Sequence, residues 1–486
     1  MLNKFVKLTT SKLFILIIWI VIFAFACYTR FGTINYYHGF LSDQGRDALV
    51  ISHMKDTGQL ITLGPASSQG NYSLPPLYYY LISPTVYLSD DPKIQVIPNA
   101  VFSFSTIFLF GLLVYFVVKD MISDSKVRSE LLDKLLLIYL PILSSVWWLC
   151  LVNDVILADV EWNPTPIPFF TISLLLLSYI VLKRSNPSLY LWILLGLVTA
   201  IGSNLHSTTL MIFPMQYLIT VAYKMMKDRK SSVPGALASL LIIFLLHIPY
   251  IYAEIQNHFV NSLNLIKQLF ASSNNEIHTL DDLLNNFGRT LYYLFSKYLI
   301  PKDSLDKFSL SLGSGLLLFV ITESKKLFKG NVILKLSASI FLIYMVFATM
   351  YFGDIHFHYQ YLITILVMLY FIILLRVSIN SRNLLLGICV ISFIAISIGI
   401  NYKQTMSYID NQFTSQDSLF DTVDMNFIID KVPNDSNVCL QDNYNAFHSS
   451  IEYIVKLSNK DIKINKECAN GFYMIKCENK IFYIIN

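Results

Sequence analysis

Long apolar runs separated by short polar loops dominate the chain. A helix needs about 20 mostly apolar residues to cross about 30 Å of hydrocarbon. Eleven runs meet or approach that length: 12–30, 96–118, 134–152, 165–182, 189–204, 206–223, 234–252, 308–324, 332–352, 359–376 and 384–401. The fifth and sixth meet at Gly202-Ser203-Asn204-Leu205-His206-Ser207, which reads as a tight turn. The pattern predicts an all-α polytopic membrane protein with about eleven transmembrane helices. Ala24-Phe25-Ala26-Cys27 has some look of a signal-peptide processing site, but the length of the first run favours an uncleaved anchor.

The polar remainder is uneven. A long loop at 31–95 follows the first run, a short acidic loop at 153–164 follows the third, and a long segment fills 253–307. Residues 1–402 read as one transmembrane domain. Residues 403–486 are polar with short apolar runs and read as a small extracytoplasmic α/β domain.

Charge orients the spans. Lys and Arg collect in alternate short loops: Lys4, Lys7 and Lys12; Lys119, Lys126, Arg128 and Lys134; Lys183 and Arg184; Lys224, Lys227, Arg229 and Lys230; Lys325, Lys326 and Lys329; Arg376 and Arg382. The positive-inside rule places these loops in the cytoplasm. Eleven spans then give a multi-pass cell-membrane protein with a cytoplasmic N-terminus and an extracytoplasmic C-terminus.

Composition agrees. The 486 residues are 55% hydrophobic and 14% charged, against roughly 25% charged in soluble domains. The net charge of +4 gives no reason to invoke nucleic acid. Six cysteines show no zinc spacing; Cys439, Cys468 and Cys477 near the C-terminus could supply one disulfide outside the cell.

Ionisable groups at a membrane face are costly unless used or paired. Ser42-Asp43-Gln44-Gly45-Arg46-Asp47 opens the first loop, and Ala48–Met54 reads as an amphipathic helix on the bilayer surface. Asp43 and Asp47, at i and i+4, share a face of such a helix, although Ser42 or Asp43 would equally serve as its N-cap. Pro75-Pro76 begins a second surface helix, whose Tyr78, Tyr79 and Tyr80 suit the membrane interface. The second loop holds Asp154, Asp159 and Glu161, which have the oxygen donors to bind a divalent cation and are equally readable as solvated charges or caps. His206, Arg289, His356, His358 and Tyr359 are candidates to hold a phosphate at the outer headgroup level; interfacial anchoring is the plainer reading of each.

Four segments together resemble the GT-C glycosyltransferases, in particular the bacterial and archaeal protein-mannosyltransferase-like group called family 39. They are Asp43-Gln44-Gly45-Arg46-Asp47-Ala48; Gly64-Pro65 with Leu74-Pro75-Pro76-Leu77-Tyr78-Tyr79-Tyr80; Trp162-Asn163-Pro164-Thr165-Pro166-Ile167-Pro168-Phe169-Phe170; and Gly196–His206. The likeness spans roughly residues 12–400. It implies a membrane glycosyltransferase with a polyprenyl-phosphate sugar donor and a protein, lipid or cell-envelope glycan acceptor. It also implies Asp43 as catalytic base, with Arg46, Asp47, Asp159 and Glu161 as further active-site candidates. Gln44 stands where protein mannosyltransferases usually have Glu. Leu74 stands where enzymes that modify lipid A have a phosphate-binding lysine, so the phosphate must find other cations. The scheme calls for no cofactor and no metal.

Two other classes share the pattern: a transporter or flippase for lipid-linked glycans, and a polymerase or ligase that moves whole glycans. A transporter is expected to carry mid-membrane charges or repeated broken helices, and the sequence shows neither.

Overall fold

The computed structural model describes residues 10–34, 40, 42–67, 71–123, 129–270, 279–351, 357–414, 429–441, 448–458, 460–465, 473–478 and 481–485. Each predicted apolar run is helical: α1 (Lys12–Phe31), α3 (Ile97–Ser123), α4 (Glu130–Leu149), α5 (Ile167–Lys183), α6 (Leu189–Ser203), α7 (Ser207–Lys227), α8 (Arg229–Gln256), α11 (Asp306–Thr322), α12 (Val332–Met350), α13 (Tyr361–Ser381) and α14 (Leu384–Thr414). Among the described residues, eight helices are long and apolar enough to cross a membrane. Helices α5 and α6 are apolar but shorter.

Burial separates the centre of the bundle from its lipid face. Every residue from Tyr361 to Arg376 is buried, so α13 is apolar all round, as a helix surrounded by others must be. Helix α8 instead exposes Leu237, Leu241, Phe244, Leu245 and Ile248, an apolar stripe suited to lipid. Small residues let helices close up where they pack: a Cβ on Gly235 of α8 would lie 2.1 Å from the Trp192 ring of α6.

The long segment at 253–307 is largely helical. Helix α8 continues to Gln256, followed by α9 (Val260–Phe270), α10 (Leu280–Tyr292) and a π-helical turn at Tyr293–Leu299.

At the C-terminus, β1 (Ser436–Gln441), α15 (His448–Leu457), β2 (Ile462–Asn465), β3 (Tyr473–Glu478) and β4 (Ile481–Ile485) form a sheet of order β2-β1-β3-β4. Strand β1 runs parallel to β2 and β3, and β4 is antiparallel to β3. Cys439 on β1 is disulfide-bonded. Cys27, Cys150 and Cys389 are free. Helix α14 runs unbroken through position 402 to Thr414.

The first-loop helix α2 (Ser42–Thr57) forms where expected. Its apolar positions Ala48, Ile51 and Met54 are buried in protein. One face meets α15 closely enough that a Cβ on Gly45 would lie 2.3 Å from the backbone nitrogen of Ser450. Ala48, with Phe40 and Val96, belongs to the same apolar core as Val438, Ile451, Tyr453 and Ile462.

Candidate active site

Helix α2 brings three charged groups together. Arg46 Nη1 donates to Asp43 Oδ1 at 2.8 Å, and its Nε and Nη2 both reach Asp47 Oδ1 at 2.8 Å. The spacing explains this: Arg46 lies three residues after Asp43, on neighbouring helical positions, and beside Asp47. Asp47 is wholly buried, while the Asp43 side chain keeps half its surface exposed. The two acids of the first-loop motif thus have opposite environments.

In the Pro-Pro-Leu-Tyr-Tyr-Tyr segment Tyr78 and Tyr79 are buried donors rather than interfacial anchors, and Tyr80 is half-buried. Successive residues of the short helix Leu77–Ile82 point about 100° apart, so the neighbours reach different targets. The Tyr79 hydroxyl donates to Asp47 Oδ1 at 2.7 Å, the Tyr78 hydroxyl donates to Glu161 Oε1, and the Tyr80 hydroxyl donates to the Ile61 carbonyl. Burial, reinforced by these carboxylates, pushes the Tyr78 and Tyr79 phenols well above their ordinary range, so both remain donors. Asp47 Oδ2 and Glu161 Oε2 are buried and have no hydrogen-bond partner among the described residues. Burial pushes Asp47 up to about 6, against the opposing pull of Arg46. Burial, and then the neighbouring Asp47, pushes Glu161 well up.

The three acids of the second loop do not converge. Asp154 pairs with Arg30 at 2.7 Å, in a fully buried contact that also engages Ser103. Asp159 accepts from Thr33 at 2.5 Å and from Tyr408 at 3.2 Å, and burial pushes it up to about 7. Only Glu161 joins the Asp47 group. Among the described residues no three His, Cys, Asp or Glu side chains gather to hold a metal ion.

A second cluster adjoins Glu161 through the next residue, Trp162. The Trp162 and His358 rings are 4.4 Å apart, His206 and His358 5.3 Å, His206 and Tyr359 4.8 Å, and His358 and Tyr359 4.6 Å. Three of the phosphate candidates therefore meet, His206 joining His358 and Tyr359 from far away in sequence. His206 also caps α7: its Nδ1 accepts from the Thr208 N–H at 3.3 Å. Asn163 donates to the Leu205 carbonyl beside it, so the Trp-Asn-Pro and Leu-His segments fix one another. Asn204 accepts from the Leu77 N–H and contacts His247 at 3.0 Å. Arg289 bonds Asn286 at 3.0 Å, and Asn286 donates to the Thr349 carbonyl near the end of α12. Tyr351, just beyond, meets the Tyr359 ring at 5.9 Å. His356 lies outside the described residues.

Sequence reasoning passed over Asn99, Tyr78, Trp162 and Arg30 as site components. Asn99 and Arg30 sit at the edges of apolar runs, where a polar residue hydrogen-bonding within the protein looks like one that simply ends a span.

No protein-family model and no curated protein matches the sequence. Among solved structures, the chain is similar to ArnT from Cupriavidus metallidurans bound to undecaprenyl phosphate, with 10% identity and a TM-score of 0.56 over 95% of this chain and 93% of that one. It is similar to the apo state of the same protein with 11% identity and a TM-score of 0.53, over the same shares. The archaeal oligosaccharyltransferase AglB from Archaeoglobus fulgidus, in complex with an inhibitory peptide and a dolichol-phosphate, aligns at 9% identity and a TM-score of 0.47, over 93% of this chain and 64% of that one. Likeness at such identity is likeness of fold: the protein is a polytopic membrane protein with the GT-C glycosyltransferase fold seen in ArnT.

Proposed function

We propose that the chain is an integral membrane glycosyltransferase that moves a sugar from a polyprenyl-phosphate carrier to an acceptor hydroxyl on the outer face of the membrane. The observation that carries this reading is the convergence of first-loop and second-loop carboxylates beside a histidine–tyrosine cluster. That convergence stands on a fold shared with a protein whose structure holds undecaprenyl phosphate. Of these residues, the protein-mannosyltransferase-like motifs supply Asp43, Asp47 and His206.

Asp43 is the base in this reading, because it alone of Asp43, Asp47 and Glu161 combines exposure with a charged partner. The acceptor oxygen attacks the anomeric carbon from the face opposite the phosphate and the configuration inverts. The new C–O bond forms as the bond from carbon to phosphate oxygen breaks, and the acceptor proton passes to Asp43. The leaving group is a phosphate monoester with a second pKa of about 6, so it departs without a proton. Charge on that phosphate is met by donors already in place, a role for His206, His358, Tyr359 and Arg289.

Three observations support an outer-face site. The alternating basic loops put this end outside. The first loop and the C-terminal sheet unit pack on each other, as an odd number of spans requires. The Cys439 disulfide belongs in an oxidising compartment. The acceptor is a protein, a lipid or a cell-envelope glycan.

The test is transfer of radiolabelled sugar from polyprenyl-phosphate donors to membrane acceptors, comparing wild type with Asp43→Asn at equal expression. A positioned base contributes about 10²–10⁴-fold, and a fall in that range supports the reading. Undiminished transfer removes Asp43 from catalysis, and no transfer from any donor by wild type removes the lipid-donor reading.

A further inference from the structure

The second loop is held from one side by a single face of α3. Asn99, Ser103 and Thr106 are all buried on this span, at spacings of four and three residues that align them along the helix. Ser103 bonds Asp154 at 2.7 Å and Arg30 at 2.7 Å, fixing the start of the loop. Asn99, one turn nearer the helix start, fixes its end. Its amide nitrogen donates to the Val160 carbonyl at 2.9 Å and to the Trp162 carbonyl at 3.0 Å. Those two carbonyls flank Glu161. The same nitrogen lies 3.3 Å from the Tyr78 hydroxyl, which itself donates to Glu161.

From this geometry we propose that Asn99 is a positioning residue for the transfer reaction. It holds the backbone on both sides of Glu161 and the phenol that meets its carboxyl, and so sets Glu161 against Tyr78 and toward the Asp47–Arg46 group. The role in transfer rests on the glycosyltransferase reading above; the positioning itself does not.

The chemistry explains why an asparagine serves here. One amide nitrogen provides two hydrogens from a single rigid plane, which suits two carbonyls separated by one residue. A hydroxyl provides one. A carboxylate provides none, and would add a third buried acid beside Asp47 and Glu161. Among the described residues the hydrogen bonds of Asn99 go to Tyr78, Val160 and Trp162 and not to the proposed base or the phosphate candidates, so it acts through Glu161. Trp162, whose carbonyl Asn99 holds, is also the residue whose ring meets His358 at 4.4 Å. The same bond therefore ties the acid group to the histidine group.

The experiment pairs a kinetic cycle with an infrared readout in the full-length protein. Asn99→Ala is compared with wild type, and again in a Glu161→Gln background, using the polyprenyl-phosphate sugar that wild type transfers. A misplacement on the order of 1 Å at a site costs up to about a hundredfold. The expected result is a kcat fall of roughly tenfold to a hundredfold with KM for the donor unchanged, and little further fall when Glu161 is already Gln, because coupled residues are non-additive. Equal falls in both backgrounds, or no fall in either, overturn the proposal. The infrared arm needs no turnover. The carboxyl band lost in Glu161→Gln is expected to shift in Asn99→Ala, and an unmoved band overturns the proposal. Should Asn99→Ala fail to fold, Asn99→Ser, which keeps one donor, takes its place in both arms. Wild type that transfers nothing defeats the glycosyltransferase reading, and the infrared result then decides the positioning alone.

Discussion

Asp159 offers a quantitative test of how the second loop is built. Its carboxyl accepts from Thr33 and Tyr408 through one oxygen, while the other oxygen is buried and has no hydrogen-bond partner among the described residues. No cation among the described residues pairs with it directly, and burial pushes it from 3.8 up to about 7. At about 1.4 kcal/mol for each tenfold change in proton affinity, the ionised form costs the folded protein roughly 4 kcal/mol at and above neutral pH. The sign follows from proton binding. Between about pH 4 and pH 7 the folded state keeps a proton that the unfolded state has released. Stability therefore falls as pH rises through that window. Asp159→Asn keeps an oxygen for Thr33 and Tyr408 and removes the titration.

The assay is thermal unfolding in detergent from pH 4 to pH 8, wild type against Asp159→Asn. Near pH 4 both carry a neutral side chain and are expected to melt at similar temperatures. The variant is expected to gain on wild type as pH rises, with the difference levelling off above about pH 7. Asp47 and Glu161 push in the same direction but are common to both proteins and cancel in the comparison. Parallel curves across the whole range would refute the reasoning. A variant that loses ground as pH rises would mean that the folded protein favours the ionised carboxylate, as it would with a hidden cation beside Asp159.

Three further outcomes follow from the same geometry. Arg30→Met leaves Asp154 buried without its cation, which is expected to cost about 3–5 kcal/mol in unfolding measurements; adding Asp154→Leu should recover most of the loss, and no recovery would contradict a pairwise contact. Gly45→Ala puts a Cβ against the backbone of Ser450, so α15 must lift away from α2. Overpacking of this kind typically costs about 1–3 kcal/mol, and limited proteolysis should cleave the C-terminal unit faster than in wild type. Cysteines placed at Lys227 and at Ser458 lie at opposite ends of the predicted topology; a membrane-impermeant maleimide on intact cells should label Ser458→Cys and spare Lys227→Cys, and the reverse would invert the orientation.

The apolar helices were legible because a span is a local property. Length and composition fix it, and each predicted run lies on a helix, with ends differing by a few residues except for α14, which runs on past its predicted end to Thr414. The turn at 202–207 was legible for the same reason, since Ser, Asn and His interrupt two apolar runs. What the sequence hid is pairing at long range. Arg30 reads as the charged end of a first span, yet it is wholly buried because Asp154 and Ser103 come to it from two other helical segments. Asp154, Asp159 and Glu161 look like one acidic cluster, yet each turns toward a different partner. The helix at 42–57 was found from its pattern, but the pattern could not say whether lipid or protein covers its apolar face. His206, His358 and Tyr359 were each candidates on chemistry alone, and only the fold shows that their rings meet.

The described apolar residues of the first loop join cores shared with other parts of the chain, and this explains how its residues are held. Its first half, α2, buries Ala48 in a core completed by Ile451, Tyr453 and Val438 of the C-terminal unit. Lys456 of α15 reaches Ser52 and Asp56 at 2.6 Å, and the Tyr453 hydroxyl bonds Gln95 and the Asp90 carbonyl. Its second half is gripped by α9. Asn261 accepts from the Ser73 N–H at 2.6 Å and donates to the Ser73 carbonyl at 2.7 Å, filling the place of a neighbouring strand, and Asn264 donates to the Asn71 carbonyl. Helix α9 exposes Val260, Leu263 and Ile266 on another face, an apolar stripe suited to lipid as is that of α8. The Asp43 helix is thus set by the C-terminal unit and the tyrosine segment by a helix suited to the membrane surface. Asp47, bonded at once to Arg46 of the first half and Tyr79 of the second, is where the two supports meet. A buried, half-satisfied carboxylate is costly on its own; here its bonds to both halves make the closed arrangement of the loop the one in which that cost is offset.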